Sequence, residues 1–203
     1  MKRLAMWILL LAALGVFAYT LPTLRQFQGP FVTSASGPGP AAAEHFAAEV
    51  LGPPILADAV TTPSGRVLQT PEGESLLVIS ARATAIREPL HSLILRLRIG
   101  DATYFPASLS GTRDTLTGQA LQPEMWLEGA AVFRLPQDAL VDAESIEVVA
   151  QTAVAEQFTE QLVITIDTDG TQVAETHELP PVGYGGLAAA DGGLAGADGD
   201  PAA

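Results

Sequence analysis

Asp167, Asp169 and Glu175 come nearest, in residue type and spacing, to a cation-binding loop, through the run Asp167-Thr168-Asp169-Gly170. A calcium loop of the EF-hand kind needs oxygen ligands at positions 1, 3 and 5, glycine at 6 and glutamate at 12, between two helices. Counted from Asp167, the glycine stands fourth, and the flanking residues alternate as strands do. Asp-Gly is also a strong hairpin signal. The segment therefore reads first as a hairpin turn; the weaker alternative is a cation site, for which Asp167, Asp169 and Glu175 would be the ligands. The three histidines, His45, His91 and His177, share no metal-ligand spacing such as i, i+2 or i, i+4, and no cysteine is present to complete a site. They read as strand or turn residues. No metal centre and no cofactor is expected.

No Gly-x-Ser-x-Gly elbow presents a serine nucleophile. Asp138, Asp142 and Glu144 read as solvated carboxylates of a surface turn rather than a glycosidase pair. No enzymatic activity is expected. Arg96 and Arg98 share one face of a strand-like run, about 6.5–7 Å apart, which suits a contact with a carboxylate or other anion. Arg82 or Arg134 would join them if its strand pairs suitably. Trp126 reads as a core or edge anchor; exposed, it would mark a partner surface, because tryptophan is enriched at binding hot spots. Arg96, Arg98 and Trp126 are thus the candidate partner-binding residues.

The elements that must position these side chains have an apolar period of two. Phe46, Ala48 and Val50 fall on one face of residues 44–50. Leu77, Ile79, Ala81, Ala83 and Ala85 face one way along residues 76–86, with Ser80, Arg82 and Thr84 opposite. Leu93, Leu95, Leu97 and Ile99 point inward while Arg96 and Arg98 point outward. Residues 125–135, 145–152 and 161–166 continue the pattern. Alternation between turn signals specifies half-buried strands. Gly100-Asp101 predicts a tight hairpin to Thr103-Tyr104-Phe105. Helix is scarce, with one or two turns expected at 137–143. Seven or more short strands at this spacing predict an all-β fold, a β-sandwich, with a small closed barrel as the alternative.

The ends differ from this middle. Met1-Lys2-Arg3 precedes an uncharged apolar run from Leu4 to Ala18, followed by Tyr19-Thr20-Leu21-Pro22. A bilayer core about 30 Å thick takes roughly 20 apolar helical residues, so residues 4–21 can form one transmembrane helix. Lys2 and Arg3 then stay cytoplasmic and the remainder is extracytoplasmic. A cleaved signal peptide ending at Val16-Phe17-Ala18 is the rival reading; Leu21 and Leu24 beyond that point favour retention. Residues 1–22 are therefore expected as a signal anchor (or signal peptide) and residues 23–42 as a flexible tether broken by Gly-Pro pairs. Residues 43–180 are expected as the sandwich, and residues 181–203 as a Gly/Ala/Asp tail too poor in bulky side chains to order.

The net charge of −13 disfavours a nucleic-acid partner, since phosphate binding needs a basic footprint. With no cysteine, the exported domain must hold together by packing alone. One lysine against nine arginines, no asparagine, and abundant alanine, glycine and proline indicate high-GC bacterial coding.

Three segments carry a resemblance. They are Ser75-Leu-Leu-Val-Ile-Ser-Ala-Arg-Ala, then Leu97-Arg-Ile-Gly-Asp-Ala-Thr-Tyr104, then Leu121-Gln-Pro-Glu-Met-Trp-Leu-Glu-Gly-Ala-Ala-Val-Phe-Arg-Leu-Pro136. Through them, residues 43–167 resemble the immunoglobulin-like extracytoplasmic domains of actinobacterial anchored proteins and lipoproteins, a family of unknown function. Secreted immunoprotective antigens are similar in fold. The resemblance implies an immunoglobulin-like sandwich and a non-enzymatic role, with no catalytic residues to transfer. The expected protein is a single-pass, membrane-anchored binding or accessory module of the cell envelope, in contact with an envelope protein. Two alternatives stay open: a secreted ligand binder or hydrolase after signal cleavage, and an accessory subunit of a membrane complex acting through its helix.

Overall fold

The structure, a computed structural model, describes residues 30–37, 39–107, 114–152 and 159–185. The expected membrane span at 1–22 lies outside these residues, as does the tail from residue 186. Every regular element among the described residues is a strand, and none of them forms a helix long and apolar enough to cross a membrane. Residues 137–143, expected to contain a helical turn or two, instead form successive turns closed by Ala139 N–H to Pro136 O, Val141 N–H to Asp138 O and Ala143 N–H to Leu140 O.

Two sheets make the domain. In the first, the spatial order is β1 (Phe31–Ser36), β11 (Glu160–Asp167), β10 (Ser145–Gln151), β7 (Ile94–Ile99) and β8 (Ala102–Tyr104). All neighbours are antiparallel except β1, which runs parallel to β11. The second sheet is built on β6 (Glu74–Ala85). Along one edge it pairs with β9 (Leu127–Pro136), from Glu74 opposite Pro136 to Ala83 opposite Leu127. Along the other edge, β4 (Ile55–Thr61) takes its first half and β3 (Phe46–Val50) its second. The Gly52-Pro53-Pro54 break separates β3 from β4, as expected where two prolines cannot donate to a ladder. Short strands extend the sheet: β2 (Ala41–Ala42) beside β3, β5 (Val67–Gln69) beside β4, β12 (Gln172–Glu178) parallel to β4, and β13 (Gly183–Tyr184) beside β9.

The alternation read from the sequence is the main core. Phe46 and Ala48 from β3, Leu77, Ile79, Ala81, Ala83 and Ala85 from β6, and Leu95 and Leu97 from β7 all enter one buried cluster. Ala131, Phe133 and Leu135 of β9 join it, with Ile146, Val148, Leu162 and Ile164 from the facing sheet. The inter-sheet space is therefore filled by aliphatic side chains and two phenylalanines. A second, smaller cluster lies on the other face of β6. There Leu76 and Val78 pack with Ala57, Val60, Ala130, Val132 and Leu179. The first half of β6 is thus buried on both faces, and its continuous apolar run, Leu76-Leu77-Val78-Ile79, is the sequence trace of that double burial.

Gly100 and Asp101 form the predicted two-residue turn, with Ile99 opposite Ala102 and positive φ at Gly100. Asp167–Gly170 does turn, but it does not close a hairpin. β11 belongs to the first sheet and β12 to the second, so this turn carries the chain between layers. The tether also begins to fold earlier than expected. Phe31-Val32-Thr33-Ser34-Ala35-Ser36 lies between two Gly-Pro breaks and is long enough to pair with β11 along its whole length. The C-terminal boundary moves outward as well, because Val182 packs on the main core and Gly183–Tyr184 pairs with β9.

Gly129 shows how tight that C-terminal seam is. A Cβ placed there would lie 2.9 Å from Val182 Cγ2 and 3.5 Å from Leu116 Cβ. Gly129→Ala is expected to destabilise the domain by about 1–3 kcal/mol. The loss should appear as a lower denaturation midpoint and be relieved by Val182→Ala in the same chain.

Candidate functional site

The three candidate partner-binding residues do not form one patch. Arg96 and Arg98 lie on the outer face of the first sheet, and Trp126 lies on the outer face of the second. Arg98 is half-exposed and pairs with Glu147, its directly opposed neighbour on β10, at 2.6 Å. Arg96, expected in solvent, is only 8% exposed. Its guanidinium stands 5.1 Å from the ring centroid of Phe105. The hairpin to β8 brings that ring over it. The pair therefore divides into a buried, stacked arginine and a surface ion pair.

Trp126 is half-buried, and its ring supports the Arg82 guanidinium at 4.8 Å. Arg82 occupies the middle of a cross-strand row, with Glu49 of β3 opposite on one side and Glu128 of β9 opposite on the other. It binds Glu49 at 2.6 Å and approaches Glu128 at 3.8 Å. Register alone creates the row: each strand contributes one residue to the same rung and the same face. Arg134 pairs with Glu74 at 3.3 Å along the same sheet. Neither Arg82 nor Arg134 joins Arg96 and Arg98, because both sit in the other layer.

Asp167, Asp169 and Glu175 are all exposed and are not gathered. Asp167 ends β11, Asp169 lies in the turn, and Glu175 sits midway along β12 in the second sheet. Among the described residues, the histidine and carboxylate atoms that do converge within 4.8 Å belong to Glu44, His45 and Glu160.

This cluster joins the two layers. Glu44 and His45 lie in the turn between β2 and β3 of the second sheet, and Glu160 opens β11 of the first. Glu160 accepts hydrogen bonds from the backbone N–H of Glu44 and, at 3.1 Å, from that of His45. Its Oε2 lies 3.3 Å from His45 Nδ1. The Glu160 side chain is 16% exposed and the His45 side chain 60%. A cleft of about 400 Å³ opens beside them, walled by Phe31, Leu90, Thr152 and Thr159. Local spacing could not have signalled this group, because 115 residues separate His45 from Glu160.

No known family model matches the chain, and no curated protein matches it either. Solved structures do overlap it. A Bacillus subtilis protein classed as a lipoprotein, YcdA, aligns with 65% of this chain at 11% identity and a TM-score of 0.46. The chain spans only 39% of that protein's length. An uncharacterised β-sandwich protein of Clostridium difficile aligns with 68% of the chain, over 96% of its own, at 10% identity and a TM-score of 0.43. A bacterial immunoglobulin-like domain from the M. primoryensis ice-binding adhesin aligns with 62% of the chain, over 99% of its own, at 14% identity and a TM-score of 0.28. No residue role transfers from any of them.

Proposed function

We propose that this chain is an extracytoplasmic binding or accessory module of the cell envelope, non-enzymatic, held at the membrane by residues 1–22. In this reading the sandwich is immunoglobulin-like, of the kind found in actinobacterial anchored proteins. The observation that carries the proposal is the outermost strand of the first sheet. β1 ends the sheet order, and it exposes Phe31 at 65% and Val32 at 53%. An edge strand offers a row of backbone donors and acceptors to an incoming strand, and flanking apolar side chains add contact area. The arginines on the strands are engaged internally: Arg82, Arg98 and Arg134 pair with glutamates and Arg96 stacks on Phe105. That leaves recognition to backbone edge and apolar side chains. β1 also begins nine residues (22–30) after the expected span at 4–21, where a membrane-borne partner would be met.

Crosslinking from intact membranes tests the proposal, with the full chain, a form lacking residues 1–22, and the edge variant Phe31→Lys/Val32→Lys. The expected result is membrane retention of the full chain and reproducible recovery of one envelope protein, lost in the edge variant. A mature chain that starts at Tyr19, leaves the membrane and crosslinks to no protein would overturn it.

A further inference from the structure

We propose that Glu44, His45 and Glu160 bind a divalent transition-metal ion, of which Zn²⁺ fits best, and that the ion fastens the two sheets together beside β1. The ligand atoms already lie within 4.8 Å of one another. In a tetrahedral zinc site with bonds of about 2.0–2.1 Å, neighbouring ligand atoms stand about 3.3 Å apart. His45 Nδ1 and Glu160 Oε2 have that separation, at 3.3 Å. Glu44 is exposed, and its side chain is free to close the remaining gap.

Glu160 is prepared for the task. A carboxylate has about four lone-pair sites, and the backbone N–H groups of Glu44 and His45 use one on each oxygen. Those donors fix its orientation and leave lone pairs for an ion, the part played by hydrogen bonds around metal ligands generally. Charge supplies an independent argument. Glu49, Glu74, Glu128 and Glu147 each have an arginine beside them. Glu44 and Glu160 sit close together with no arginine or lysine paired to either among the described residues, and the side chain beside them is an imidazole. A divalent ion would neutralise both carboxylates.

The ligand types choose the metal. Imidazole suits zinc, copper and nickel, whereas magnesium and calcium prefer oxygen alone. Three protein ligands leave a fourth position for water or an external donor, and all three ligands line the cleft walled by Phe31, Leu90, Thr152 and Thr159. Binding requires neutral His45, so uptake would release any proton held on the ligating nitrogen.

The test is titration of the full chain in detergent with Co²⁺, read by its visible absorption, followed by displacement with Zn²⁺. One equivalent is expected to bind with a tetrahedral cobalt spectrum. His45→Ala and Glu44→Gln, both exposed, should each weaken binding at least tenfold, an effect in the range known for altered metal sites. Asp167→Asn, at an acid outside the cluster, should leave the titration unchanged and so separates the site from diffuse attraction to an acidic protein. Glu160→Gln should also weaken binding tenfold or more, and its thermal unfolding without metal reports whether the sheet junction itself has failed. Absence of saturable binding at one equivalent, or binding equal in the His45 and Glu44 variants and the parent, would overturn the proposal.

Discussion

Arg82→Met is expected to lower unfolding free energy by about 3–5 kcal/mol, because it takes the guanidinium away from two largely buried carboxylates, Glu49 and Glu128. The Glu128 side chain is 3% exposed, so water cannot replace the lost charge. The change also removes the stacking on Trp126. Chemical denaturation at constant m-value would measure the loss. The cause is separable from lost packing by the double variant Arg82→Met/Glu128→Leu. Replacing both partners of a buried pair with apolar groups is often neutral or stabilising, so the double variant should recover the part of the loss that comes from Glu128, while the pair with Glu49 stays broken. A double variant as unstable as the single one would show that Arg82 matters through Glu49, its stem and its contact with Trp126 rather than through Glu128.

Phe133→Ala should cost a comparable amount, about 3–5 kcal/mol, for a different reason. Phe133 is fully buried on β9, opposite Leu77 of β6, and it fills the space between the layers. Truncation removes apolar surface and leaves a cavity that strands pinned by ladders on both sides cannot collapse to fill. Val141→Ala is the control: Val141 is exposed in a turn, and its loss should stay within about 0.5 kcal/mol. The same denaturation curves report both. A Phe133→Ala loss below 1 kcal/mol would mean that the two sheets are less closely engaged than the buried cluster indicates.

The residues that were legible in the sequence are those with one wet and one dry face. β7 and the latter part of β6 alternate cleanly, and their inward sets are the core. β4 is absent from the runs read by alternation and β12 appears there only as the far side of a turn, for opposite reasons. β4 carries apolar residues toward both sides near Val60, while β12 is exposed along most of its length and so shows no contrast. β1 was hidden by its neighbours, since Gly-Pro pairs on both sides made a six-residue strand look like linker. Arg96 was misplaced because alternation reports which face a side chain takes, but not whether Phe105 will fold back over it. The Glu49–Arg82–Glu128 row depends on register between three strands, and the Glu44–His45–Glu160 cluster on contact between two sheets. Neither leaves a local pattern.

The parallel pairing of β1 with β11 has a mechanical consequence. Any pull arriving through the residues before Phe31 runs along β1, and its six register pairs with β11 lie across that direction. Those pairs are loaded together in shear, rather than peeled one after another as at the end of a hairpin. The first segment to feel tension is therefore held by a whole ladder, and the domain is gripped through the same end at which Glu160 reaches across to the other sheet.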